Sequence, residues 1–129
     1  ITKCDTVMQL SSYAFDGATF DIFGALLNGA KIIIVPKETM LNVRQLADLI
    51  EKQRISVMFI TTAFFNVLVD IDISCLKHVR KILFGGEQVS VKHVRKAFQY
   101  LGSNKIKHVY GPTESTVFAT CYDVNEMQE

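Results

Sequence analysis

The sequence predicts an α/β fold, a mostly parallel sheet with helices on both faces, and three observations carry that expectation. Short runs of β-branched and apolar residues alternate with stretches whose apolar residues recur at helical spacing. Turn formers (Pro36, Gly85-Gly86, Gly111-Pro112) punctuate the change from one period to the other. The 129 residues, 49% hydrophobic and 21% charged, suffice for one core-forming unit and leave little for a second. Strands that alternate with helices pair in parallel across helical crossovers, which covers the sheet on both faces.

Taken in order, Thr6 to Leu10 reads as a strand running into Ser11-Ser12. Phe20, Phe23 and Leu27 share a helical face that ends at Asn28-Gly29. Lys31 to Val35 is β-branched and is stopped by Pro36, which cannot donate to a ladder. Val43, Leu46, Ala47 and Ile50 fall at i, i+3, i+4 and i+7 of a helix. Ile55 to Ile60 is a strand, and Ala63 to Val69 a shorter helix. Ile82 to Phe84 is a strand ended by Gly85-Gly86; a helix follows on Val94, Ala97, Phe98 and Leu101, with Gly102 as its cap. Ile106 to Tyr110 ends at Gly111-Pro112, and Thr116 to Tyr122 is again rich in β-formers.

Fourteen basic against thirteen acidic residues leave a formal net charge of +1, which points away from a nucleic-acid arm or an acidic tail. The basic clusters Lys77 to Lys81 and Lys92 to Lys96 lack interleaved aromatic rings and read as solvated surface. No run approaches the roughly 18 apolar residues of a membrane span. Cys4, Cys75 and Cys121 are odd in number and widely spaced, which fits unpaired thiols in a reducing, cytoplasmic setting. His78, His93 and His108 lack metal-ligand spacing, and no G-x-S-x-G nucleophile motif occurs.

Ligands of parallel sheets collect beyond the C-terminal ends of the strands, so chemistry is sought in Ser11 to Phe20, Gly85 to Gln88 and Tyr110 to Glu114. The stretch Tyr110-Gly111-Pro112-Thr113-Glu114-Ser115-Thr116 sets a flat ring, a hydroxyl and a carboxylate just past a strand. The ring can stack on a base, and the Thr113 hydroxyl can bond a phosphate oxygen. Glu114 can hold magnesium, a hard cation that takes oxygen ligands. The same residues also suit a Gly-Pro turn with Glu114 on the first turn of a short helix, where the dipole favours it.

Three motifs in order carry a resemblance. Phe15-Asp16-Gly17-Ala18-Thr19-Phe20-Asp21, then Leu83-Phe84-Gly85-Gly86-Glu87, then the Tyr110 to Thr116 stretch resemble the core motifs of adenylate-forming enzymes. The form is most similar to the amino-acid adenylation domains of nonribosomal peptide synthetases, over essentially the whole chain. The resemblance implies a flavodoxin-like subdomain of the adenylate-forming N-terminal domain, using ATP and Mg2+. It implies that Tyr110 stacks on adenine, with His108, Gly86, Glu87 and Gly111 beside the nucleotide. His108 stands where the family often has asparagine; read by itself it is a strand histidine. Thr113 would contact the α-phosphate and Glu114 would help hold Mg2+, which makes these two the catalytic pair.

Asp16 is the most informative single residue. The resemblance assigns it to the α-ammonium group of an amino-acid substrate, and acyl- and aryl-activating relatives typically lack an aspartate there. A carboxylate facing an ammonium in a partly desolvated pocket forms a strong, charge-assisted pair. Asp16 also suits the N-cap of the helix that starts near Ala18, and the two roles are compatible.

The pocket that the resemblance implies comprises Asp16, Gly17, Phe20, Phe59, Leu83, Gly85, Val109, Val117 and Phe118. After Asp16 every member is apolar or glycine, so a polar substrate side chain would lose water without compensation. Gly17 and Gly85 leave room while Phe20, Phe59 and Phe118 set walls, which suits a medium aliphatic side chain. The combination is similar to those the family uses for isoleucine, with valine and leucine as close rivals. One methylene in an apolar pocket discriminates by only about 1–3 kcal/mol. Taken alone, Phe59 and Leu83 read equally as core.

The phosphate loop ending Pro-Lys-Gly that such enzymes carry upstream has no match in the sequence. The ribose-binding aspartate, the hinge and the C-terminal domain with its lysine have none either. Residues 1–129 are therefore expected to be a central slice of a larger adenylation domain, with cut points at Ile1 and Glu129. The parent would form an aminoacyl-adenylate and pass the acyl group to the phosphopantetheine thiol of a carrier domain, alongside condensation domains. The 129-residue chain alone is expected to be inactive. Two alternatives stand beside this reading. An acyl-CoA ligase is disfavoured by Asp16, and a non-catalytic flavodoxin-like module would show no magnesium-dependent ATP binding near Tyr110.

Overall fold

The computed structural model describes residues 1–125; the rest of the polar tail, 126–129, lies outside the described residues. The elements are β1 (Thr6–Gln9), α1 (Gly17–Leu26), β2 (Lys31–Ile34), α2 (Lys37–Met40), α3 (Val43–Lys52), β3 (Val57–Thr61), α4 (Thr62–Ile71), β4 (Lys81–Gly85), α5 (Val91–Leu101), β5 (Ile106–Tyr110) and β6 (Thr120–Asp123). Two 3-10 turns, Ile73–Leu76 and Thr113–Ser115, complete the list. The expected α/β class is borne out. Six strands form one sheet in the order β2-β1-β3-β4-β5-β6. The first five pair in parallel and β6 returns antiparallel along β5. A parallel return would need a crossover of about a dozen residues or more, which the short 111–119 connection cannot supply.

The expected helices form for identifiable reasons. The Asn42 side chain accepts from the Gln45 amide at the head of α3, and Thr61 does the same for Phe64 at the head of α4. Gly102, at φ 81°, ends α5 in a conformation that costs glycine little. α2 is absent from the sequence reading because four residues carry too little periodicity to register. One strand differs from expectation: β6 starts at Thr120, not near Thr116. Thr116 and Val117 have φ of 63° and 65°, a left-handed pair that turns the chain back. Their β-branched side chains favour extended backbone, so tertiary packing overrides local propensity here.

The sheet separates two apolar layers. Met8, Met58, Ile60, Ile82, Phe84 and Ile106 pack against α3, α4 and α5, and the Phe65 and Phe84 rings stack at 4.3 Å. Val7, Val57, Leu83 and Val109 face the other way, toward Ala25 of α1. Three helices seal the first face. Among the described residues the second is covered by α1 and the segment around Phe118, and this thinner cover leaves room for a cavity.

Beneath the far end of the sheet, buried Asp5 joins segments distant in sequence. It accepts from both Arg80 nitrogens (3.2 and 2.7 Å), from the Ser56 hydroxyl (2.7 Å) and from the Thr2 amide (2.8 Å). Burial alone would raise its pKa, but these donors outweigh it and hold the carboxyl well below the usual range. The stabilisation is present above the unfolded carboxylate pKa near 3.9 and is lost as pH falls below it. Asp5→Ala is expected to cost about 1.5–3 kcal/mol at pH 7 through its lost hydrogen bonds, since the Arg80 left behind is half exposed, and chemical denaturation reads it. An unchanged unfolding midpoint would refute that account. The three cysteines are free, and Cys75 is buried with its thiol pushed up to about 12, so it is inert. No helix among the described residues is long and apolar enough to cross a membrane.

Candidate functional site

In an order of 2-1-3-4-5 the direction of strand winding reverses between β1 and β3, and the crevice beyond their C-terminal ends is where ligands of such sheets sit. The chain leaves β1 there as residues 10–16 and enters α1 at Asp16. Asp16 already has helical backbone (φ −63°, ψ −25°) and its side chain caps nothing. The capping alternative is therefore not realised. Instead Asp16 Oδ2 is buried with no hydrogen-bond partner.

That oxygen belongs to a residue lining a cavity of about 110 Å3, bounded also by Gly17, Phe59, Gly86, Val109, Gly111, Val117 and Phe118. Six of the nine residues expected for the side-chain pocket therefore surround one space. Phe20 stands behind it, its ring 5.3 Å from Phe118 and 6.4 Å from Phe59; Phe59 and Phe118 meet edge-on at 5.0 Å. Leu83 belongs to the same apolar layer. Gly85 plays a different part: a Cβ there would lie 2.1 Å from the Val109 carbonyl oxygen, so the space it leaves is filled by β5 backbone. A second, larger cavity of about 320 Å3 adjoins Asp16, Gly17 and Phe59 on the β1–β3 side, with Phe15, Met40 and Phe64 among its walls.

Residues expected at the nucleotide come to the same end of the sheet. Gly86 and Gly111 line the smaller cavity itself, so the two expected sets meet there. Gly86 has φ 88° with open space around its Cβ position. The buried Thr62 hydroxyl donates to the Glu87 carbonyl at 3.3 Å, tying this loop to α4. His108 pairs with Phe84 across β4 and β5, its ring 5.2 Å away, on the face of β5 opposite Val109. Tyr110, at the end of β5, is 61% exposed and offers an open ring. Thr113 and Glu114 are exposed on the 3-10 turn, as a Gly-Pro turn with Glu114 in its first turn would have them.

A Cβ on Gly111 would lie 2.3 Å from the Val117 carbonyl oxygen and 2.7 Å from Phe118 Cα. Glycine at this position lets the 117–119 segment fold back, where the Ala119 amide donates to the Tyr110 carbonyl at 2.8 Å. That fold-back brings Val117 and Phe118 to the cavity, which no local signal announces. Two further residues escaped the sequence reading. Asp21 is fully buried on α1, and Ser11 is hydrogen-bonded to it. The signal for Asp21 was present: it lies four residues after Gly17 and four before Ala25, a carboxylate on the buried stripe of a helix. The two basic clusters find local partners: Arg80 pairs with Asp5, and His93 and Lys96 with Asp70.

The AMP-binding enzyme family matches this chain over residues 1–129. Bacitracin synthase 1 of Bacillus licheniformis is 59% identical over 129 residues, covering 100% of this chain and 2% of that protein. Surfactin synthase subunit 1 of Bacillus subtilis (strain 168) is 54% identical over 129 residues, covering 100% of this chain and 4% of that protein. A solved holo NRPS protein containing adenylation and PCP domains, bound to a vinylsulfonamide inhibitor, matches with a TM-score of 0.86 at 35% identity. It covers 97% of this chain, which in turn spans 22% of it. The chain thus spans a small fraction of the proteins it matches. The three motifs, the sheet order and these matches agree: the chain belongs to the AMP-binding enzyme family, as adenylation-domain sequence of the nonribosomal peptide synthetase type.

Proposed function

We propose that this chain supplies the amino-acid pocket and part of the nucleotide site of an adenylation domain that activates an aliphatic amino acid, isoleucine first, then valine or leucine. The observation that carries the proposal is the buried, unpartnered Asp16 Oδ2 at an otherwise apolar cavity. An isolated buried carboxylate oxygen is costly, and an ammonium group relieves that cost. A neutral acyl or aryl acid would leave it unpaired, which disfavours the acyl-CoA ligase alternative. The walls are apolar or glycine apart from Asp16, so a polar substrate side chain would find no partner there.

In this reading the substrate carboxylate oxygen attacks the α-phosphorus of ATP, the bond to the β-phosphate bridge breaks, and pyrophosphate leaves. Asp16 fixes the ammonium end and the three phenylalanine rings fix the side chain, so the carboxylate is aimed without further search. Tyr110 holds the base by stacking, and the Thr113 hydroxyl bonds an α-phosphate oxygen. The described residues contain no cluster of three or more acidic, His or Cys side chains placed for a metal. A single exposed carboxylate at Glu114 still suits Mg2+, which keeps waters and shares nucleotide phosphates. When bound, the ion neutralises charge on the phosphates.

The phosphate loop, the ribose aspartate and the catalytic lysine would come from other parts of a longer polypeptide, and the 129-residue chain alone would not catalyse the reaction. The acyl acceptor would be the phosphopantetheine thiol of a carrier domain, with condensation domains in the same synthetase. The test is amino-acid-dependent exchange of labelled pyrophosphate into ATP by the full synthetase, over a panel of side chains. Exchange with isoleucine, valine and leucine above phenylalanine, lysine and aspartate is expected. A preference for a charged or aromatic side chain would overturn the pocket reading, and normal exchange by residues 1–129 alone would overturn the division of labour.

A further inference from the structure

We infer that Asp21 is the positioning residue for Asp16: it clamps the loop between β1 and α1 whose far end presents Asp16 to the cavity. The inference rests on Asp16 being the ammonium partner proposed above. Asp21 is 0% exposed, on the same face of α1 as Gly17, Ala18 and Ala25. Its Oδ2 accepts the Ser11 amide at 3.1 Å. That donor belongs to the point where β1 gives way to the loop. Ser11 in turn lies against the residue after Asp16, since a Cβ on Gly17 would come within 3.1 Å of Ser11 Oγ and 2.9 Å of the Phe59 ring. The contacts therefore run Asp21, Ser11, Gly17, and both ends of the loop are fixed to one helix.

A purely structural account of Asp21 is poor. Its second oxygen, Oδ1, is buried with no partner, and no ion pair among the described residues includes it. Burial pushes its carboxyl up to about 6 against the pull of the Ser11 amide. An apolar residue on this stripe of α1 would cost the fold less. What an apolar residue cannot do is hold the Ser11 backbone amide at the mouth of the site. A carboxylate at that place trades stability for a fixed loop, as functional sites commonly do.

The test compares Asp21→Ala, Asp21→Asn and Asp16→Ala in the full synthetase, with KM measured separately for amino acid and ATP. Loss of hydrogen bonds to a charged group predicts that Asp21→Ala raises the amino-acid KM about tenfold while the ATP KM stays within about twofold. Asp21→Asn keeps an acceptor for the Ser11 amide and is expected to recover most of that loss. Equal damage to both KM values, or an unchanged amino-acid KM in Asp21→Ala, overturns the inference. If Asp21→Ala does not fold, Asp21→Leu decides: it keeps the buried stripe of α1 apolar and accepts nothing from the Ser11 amide. A rise of about tenfold in amino-acid KM alone supports the clamp, and no change refutes it. Asp16→Ala separates the two levels. An unchanged amino-acid KM there refutes the ammonium assignment itself, whereas an effect at Asp16 without one at Asp21 refutes only the clamp.

Discussion

Asp16→Ala in the full synthetase is expected to lower kcat/KM for the amino acid by about a hundredfold or more, with the ATP KM within about threefold of wild type. The magnitude follows from the site. A charge-assisted pair with a partly buried carboxylate, once broken, costs roughly 3 kcal/mol, and each 1.4 kcal/mol is a factor of ten. Charge and shape can be separated. Asp16→Asn preserves the outline and one acceptor but not the charge, so its loss falls between wild type and alanine. Discrimination gives a sharper reading than rate. The wild type should reject the des-amino analogue of its substrate, because that acid leaves Asp16 Oδ2 buried and alone. Asp16→Ala should lose much of this discrimination. Full discrimination retained by the variant would mean that the ammonium group is recognised elsewhere.

The second large effect is expected from one methyl group. In Gly85→Ala the new Cβ would stand 2.1 Å from the Val109 carbonyl oxygen, and in Gly111→Ala 2.3 Å from that of Val117. In both cases the obstacle is backbone, which cannot swing aside as a side chain can. Gly85→Ala must part β4 from β5 where Gly85 and Val109 are in register. Gly111→Ala must push away the segment that brings Val117 and Phe118 to the cavity. Each is expected to destabilise by about 3 kcal/mol, at the upper end for overpacking, and to reduce amino-acid-dependent exchange at least tenfold. Gly86→Ala, in the wall of the cavity, is the control for stability alone. It has no atom within 4 Å of its Cβ position, so only its positive φ of 88° opposes alanine, at about 1–2 kcal/mol. Equal unfolding midpoints for Gly85→Ala and wild type would show that the strands tolerate the separation.

The legible part of the site was the part encoded in contiguous motifs. Gly85-Gly86 and Tyr110-Gly111 each sit at a strand end and Asp16-Gly17 at the helix entry that follows β1, and parallel pairing brings these ends of the elements together. Val117 and Phe118 were placed in the pocket by resemblance, while their local sequence argued for a strand. The structure instead gives Thr116 and Val117 left-handed backbone, and the fold-back that results rests on a glycine six residues earlier. Period and propensity do not report such a contact. Asp21 shows the opposite failure. A carboxylate on a buried helical stripe was visible in the sequence, yet its meaning needed the Ser11 amide just past the end of β1.

By itself, then, the sequence determined the fold class, the succession of strands and longer helices along the chain, and the motifs that mark the family. These follow from hydrophobic period, turn residues and motif order, all of them local along the chain. Only the tertiary structure decided which oxygen of Asp16 is left unpaired, and which glycine opens a cavity and which admits a backbone. It alone placed the Ser11 amide on the buried Asp21 carboxylate. The reason is physical. Burial and hydrogen-bond satisfaction are properties of atoms from several segments at once, and they exist only after the segments have packed.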